Sequence, residues 1–172
     1  VREEILYAMN IQTTFRQFIP VKLGEVVARK PLFFVVLSLG YLIIVGFLKW
    51  KISPPVVAAF YLAGGIFGIY FLDVAEVFFK LNPSPFRSVI FQWLFVATSF
   101  FVVTSSGSLL ASGLVLSLYL TMILWQLGEW KIAHNLSSWY RLVAGVTSAG
   151  LQRGMLVVFI VMFFVETFLF IR

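Results

Sequence analysis

Between Arg87 and Glu129 the chain carries no formal charge, and Ser88 to Gln126 alone makes 39 uncharged residues dominated by Val, Leu, Phe and Ser. A helix crosses a bilayer with roughly 20 apolar residues, so this stretch is about twice what one crossing needs. It breaks naturally at Thr104-Ser105-Ser106-Gly107-Ser108, where small polar residues and a glycine favour a turn. Two helices folded back on each other, 88–105 and 108–126, are therefore expected. Composition points the same way. Hydrophobic residues make up 61% of the chain, charged residues 12%, and the mean hydropathy is +1.01. A soluble domain has about a quarter of its residues charged, enough to cover its surface.

Three more apolar runs, 31–48, 55–79 and 154–171, bring the expected total to five membrane spans. The first closes on Lys49-Trp50-Lys51, a pairing suited to a membrane interface, and Ser53-Pro54-Pro55 turns the chain back. Residues 1–30 carry Arg2, Arg16, Lys22, Arg29 and Lys30, with Ile5, Leu6 and Met9 on one edge and a second helical piece from Val21 to Val27. They read as a cytosolic, amphipathic arm on the membrane surface. Residues 127–153 are polar and aromatic (Glu129, Trp130, Lys131, His134, Trp139, Tyr140, Arg141) and suit an interfacial helix before the last span. Within them Leu142–Gly150 is apolar but too short to span, and a shallow dip into the bilayer is the alternative. The expected fold is all-α: a polytopic integral membrane helical bundle, one domain over 31–172 with an arm over 1–30. No cleaved leader is expected, because the first apolar run begins only after residue 30 and no small-x-small site follows it.

The bases fix the expected orientation. Residues 1–30, 73–87 and 127–153 hold ten Lys and Arg, against three (Lys49, Lys51, Arg172) in the alternate segments. The positive-inside rule then puts the N-terminus in the cytosol and the C-terminus outside, in a membrane of the bacterial plasma-membrane type. The same rule, with anionic headgroups, accounts for the net charge of +6, and nucleic acid is not an expected partner. The expected partners are the bilayer and other membrane subunits.

Small and polar residues inside the spans are the informative ones. Gly64 and Gly68 form a G-x-x-x-G pair, and Gly113, Ser117 and Thr121 recur at intervals of four on the fourth span. Small residues at this spacing let helix backbones approach closely in lipid. Ser88, Gln92, Ser99 and Ser106 form one row along the third span. Such a row serves interhelical hydrogen bonds or, alternatively, a polar path for a small solute.

Asp73 and Glu76 lie about 60° apart on the second span, on the side away from Gly64 and Gly68. A carboxylate pair so placed can hold a cation or relay protons, with Glu129 and His134 as further groups within reach; the plainer reading has both acids at the cytosolic rim, solvated or paired with Lys80 or Arg87. Glu166, on an otherwise lipid-facing last span, lies about 9 Å from the chain end and is expected to snorkel outward or pair with Lys49, a buried proton site being the alternative. Asp73, Glu76, Gln92, Ser99 and Glu166 are thus the candidate polar or ion site. Gly64, Gly68, Gly113 and Ser117 are the candidate packing set, and the second span is the expected central helix.

Chemistry is poorly represented. The chain has no cysteine and one histidine, which excludes thiol catalysis, disulfides and a multi-histidine metal centre. No phosphate-cradling loop, G-x-S-x-G elbow or H-E-x-x-H pair is present, and Ser105, Ser106 and Ser108 have no partner base. No cofactor, metal or enzymatic activity is expected. The expected role is a non-enzymatic scaffold or subunit of a membrane assembly, with a small transporter or channel component as the alternative.

Overall fold

The computed structural model describes residues 22–51, 53–143 and 147–172. Among them are six helices and no strand: α1 (residues 22–29), α2 (Leu32–Trp50), α3 (Ala58–Phe79), α4 (Val89–Ser105), α5 (Leu109–Ala133) and α6 (Ala149–Ile171). Four of these, α2, α3, α5 and α6, are long and apolar enough to cross a membrane. The third expected span, 88–105, is α4, which has 17 residues and a length of about 25 Å. Most of the arm lies outside the described residues. Its described end buries Val26, in α1, and Lys30, just after it, against the bundle.

The helix ends follow local chemistry. Ser88, Ser108 and Ser148 precede α4, α5 and α6, and each hydroxyl accepts from the backbone N–H three residues on, satisfying a donor the helix cannot. Pro31 opens α2 with a φ suited to a helix start. At the other ends Lys51, Lys80 and His134 close α2, α3 and α5 in the left-handed conformation, each donating its N–H to the carbonyl four residues back. Gly107, at φ 63°, makes the tight turn between α4 and α5.

Gly64 meets Leu110 and Gly68 meets Leu114 and Ser117, so contacts advance together along α3 and α5 and the two helices are parallel. They are also the most intimately packed pair. Gly64 lies against the Leu110 carbonyl, Gly68 against Ser117 Oγ and the Leu114 carbonyl, and Gly113 against the Tyr61 carbonyl. All four candidate packing residues therefore meet at one seam. On the other side of α3, Gly65 receives the Leu42 side chain from α2.

The hub of the bundle is α5, not the second span as expected: its backbone runs close to α2, α3, α4 and α6, whereas the backbone of α3 runs close to α2 and α5 and meets α1 and α6 only through side-chain contacts. Its small residues admit α3, and its Tyr119 ring stacks on Phe159 of α6 (4.3 Å between centroids) and meets Phe95 of α4 edge-on. The last span exposes most of its surface, but Gln152, Leu156, Phe159, Phe163, Glu166 and Phe170 form one buried seam at alternating steps of four and three.

The segment around the expected interfacial helix is divided differently. α5 runs on to Ala133, α6 starts at Ala149, and residues 134–143 form turns. Gln126, bonded to Gln92 of α4, is the last buried residue of α5, and Gln152 is buried in the first turn of α6. Leu136 donates its N–H to Gln152 Oε1 and Val89 donates to the Trp139 carbonyl, which ties the turns to the bundle end. Part of the proposed dip, 144–146, lies outside the described residues.

Candidate functional site

Where α1, α3 and α4 meet at one end of the bundle, four charged side chains converge. α3 supplies Asp73 and Glu76, the segment linking α1 to α2 supplies Lys30, and the turn before α4 supplies Arg87. Lys30 Nζ lies 2.8 Å from Asp73 Oδ2, and both side chains are fully buried. The same ammonium donates to the Ile69 carbonyl. Arg87 grips Glu76 with two parallel bonds, Nε to Oε1 at 2.6 Å and Nη2 to Oε2 at 3.0 Å, and passes within 3.6 Å of Asp73. Its guanidinium also stacks over the Trp125 ring at 4.3 Å. Two acids and two bases thus cancel at the place where a neutral total is needed, since an unpaired charge in a dry interior is costly. Burial pulls the Lys30 ammonium below its ordinary value, and Asp73 opposes that shift.

These contacts revise the reading of the two acids. They are not solvated at a rim but buried, and the pairing with Arg87 comes with a second partner, Lys30, from the arm. Glu129 does not approach them: it accepts from Ser138 Oγ at 2.7 Å and Trp139 Nε1 at 3.0 Å, holding the turns after α5. His134 is exposed at the helix end. Among the described residues no group of three metal-ligating side chains forms.

The row along α4 is divided among different partners. Ser88 caps the helix and donates to the Pro85 carbonyl. Gln92 accepts from Gln126 of α5 at 2.8 Å. Ser99 lies 3.0 Å from Glu166 of α6. Ser106, at the exposed end, donates to the Val102 carbonyl.

Glu166 therefore does not pair with Lys49. The seam of α6 turns it inward, fully buried, toward α4, and Lys49 instead donates to the Phe170 carbonyl with its ammonium over the Phe170 ring. One carboxyl oxygen of Glu166 has no hydrogen-bond partner among the described residues. Tyr41 and Thr167, hydrogen-bonded at 2.7 Å, join α2 to α6 one residue further on.

Sequence reasoning overlooked three members of these networks: Lys30, Gln126 and Gln152. For Gln126 a signal existed. Two amides in otherwise apolar spans, Gln92 and Gln126, are best satisfied by each other. For Lys30 no signal existed, since a base beside a span is ordinarily at the interface.

Beside the charge cluster opens a cleft of about 640 Å³ between α1, the end of α3, the turn at 82–87 and the turns after α5. Neither family models, nor curated proteins, nor solved structures give a match to this chain.

Proposed function

We propose that the chain is a five-span membrane protein, N-terminus in the cytosol and C-terminus outside, that serves as a non-enzymatic scaffold or subunit of a membrane assembly of the bacterial plasma-membrane type. The observation that carries this reading is how the polar groups of the helices are used. Asp73 and Glu76 are neutralised by Lys30 and Arg87, Gln92 is bonded to Gln126, and Ser99 to Glu166. Groups committed to each other across helix interfaces build a rigid bundle rather than a solvated path. The outward faces are apolar, with Phe33, Phe60, Phe67, Phe101 and Phe164 all exposed, which suits lipid and neighbouring spans.

A second reading, a small transporter or channel component, draws on one observation: the buried Glu166 carboxyl has no base beside it among the described residues. Intramembrane acids of that kind serve proton and ion paths. Extraction from native membranes in mild detergent, followed by native mass spectrometry, separates the two. The scaffold reading expects a complex with a second membrane chain in fixed stoichiometry. A monodisperse monomer, together with a solute or proton flux in reconstituted vesicles that Gln92→Leu abolishes, would replace it with the transporter reading.

A further inference from the structure

The cleft beside the charge cluster is lined by five bases, Lys22, Arg29, Lys80, Arg87 and Arg141, and by two acids, Glu25 and Glu76. The acids are already engaged, Glu25 with Arg29 at 2.6 Å and Glu76 with Arg87 at 2.6 Å. With Arg29 and Arg87 matched in this way, Lys80 and Arg141 leave the lining with an excess of positive charge. Lys22 directs its ammonium to the last carbonyls of α3, those of Val77 and Phe78. Lys80 and Arg141 enter no ion pair among the described residues. The floor adds neutral donors: the Asn82 side chain, and Ser84, whose buried hydroxyl has no hydrogen-bond partner among the described residues. An unmatched positive excess, a planar guanidinium, amide and hydroxyl donors and a volume of this size form a complementary setting for a tetrahedral oxyanion.

We infer that this cleft binds a phosphate group, carried either by an anionic phospholipid headgroup or by a small phosphate. The position favours such a ligand physically. The cleft lies at the end of the bundle that holds most of the bases, and basic pockets at the cytosolic ends of spans attract anionic headgroups. The inference goes beyond the scaffold reading and stands or falls independently of any partner chain.

The test is a thermal-unfolding titration of the full chain in a neutral detergent. Three additives are compared: dihexanoyl phosphatidylglycerol, dihexanoyl phosphatidylcholine and inorganic phosphate. The wild type is set beside the Lys80→Gln/Arg141→Gln double variant, whose two side chains are exposed and make no ion pair that the fold uses, and beside Lys51→Gln at the opposite end as a control. The midpoint is expected to rise with phosphatidylglycerol, with phosphate or with both, and not with phosphatidylcholine. The concentration giving half the effect is expected to rise about tenfold or more in the double variant, while Lys51→Gln behaves as wild type. A response to phosphatidylglycerol alone assigns the site to a lipid headgroup, and a response to phosphate alone assigns it to a small phosphate. No response to either anion, an equal response to phosphatidylcholine, or an undiminished response in the double variant overturns the inference.

Discussion

Lys30 and Asp73 illustrate how a single contact can outweigh the tendencies of the residues that make it. A lysine beside a membrane span ordinarily snorkels to water, yet this one is buried, 2.8 Å from a carboxylate that is itself 0% exposed. Removing Asp73 leaves Lys30 as a buried charge without its carboxylate, at a cost of about 3–5 kcal/mol, and removing Lys30 leaves Asp73 with only the longer contact to Arg87. Asp73→Asn and Lys30→Met are each expected to lower the thermal midpoint in detergent strongly. The double variant Lys30→Met/Asp73→Asn is expected to be less destabilised than the sum of the two, because no buried charge remains unpaired. Additive losses in that cycle would show that the pair is not coupled. Glu166 sits differently, since its partner is a hydroxyl rather than a base. Glu166→Gln keeps a group able to accept from Ser99 and removes an ionisable one, so thermal melting of that variant is expected within about 1 kcal/mol of wild type.

At the scale of elements, the parallel seam between α3 and α5 decides the packing. Glycine is required there for space, not for backbone freedom. A Cβ at Gly64 would collide with the Leu110 carbonyl oxygen, and one at Gly113 with the Tyr61 carbonyl oxygen. Neither obstacle is a flexible side-chain tip, so the helices would have to separate. Gly40, in α2, has nothing within 4 Å of the corresponding position. Gly64→Ala and Gly113→Ala are therefore expected to lower the melting midpoint and the yield of monodisperse protein, whereas Gly40→Ala is expected to be neutral or slightly stabilising, alanine being the better helix former by about 1 kcal/mol. Equal effects at all three positions would contradict the close approach.

Across the whole molecule, the two ends of the bundle differ in kind. One gathers the four-charge cluster, the basic cleft and the turns held by Glu129. The other is closed by aromatic contacts, Trp50 against Tyr61 at 5.6 Å and Tyr61 stacked on Phe170 at 5.1 Å. Five crossings with the basic end in the cytosol make a specific prediction. The chain has no cysteine, so single cysteines report alone. In sealed cells a membrane-impermeant maleimide is expected to label Lys51→Cys, Ser106→Cys and Arg172→Cys and to spare Asn82→Cys and His134→Cys. Labelling of Ser106→Cys together with Asn82→Cys would mean that α4 does not cross.

Periodicity and composition were enough to predict helices, their approximate number and the small-residue positions, because these depend on each residue's own preference for lipid, water or close approach. Gly64, Gly68, Gly113 and Ser117 could be picked out one helix at a time, since each helix shows its own small face. Which faces meet could not be read that way. That Ser99 finds Glu166, that Gln92 finds Gln126, and that α5 rather than α3 brings its backbone close to four other helices depend on how helices far apart in the chain pack together. The burial of Asp73 is the plainest case: the sequence places an acid near the end of a span, but only the arrival of Lys30 from 43 positions earlier makes its burial affordable. Charge on a helix end is local, and whether that charge is met by water or by a buried partner is a property of the assembled bundle.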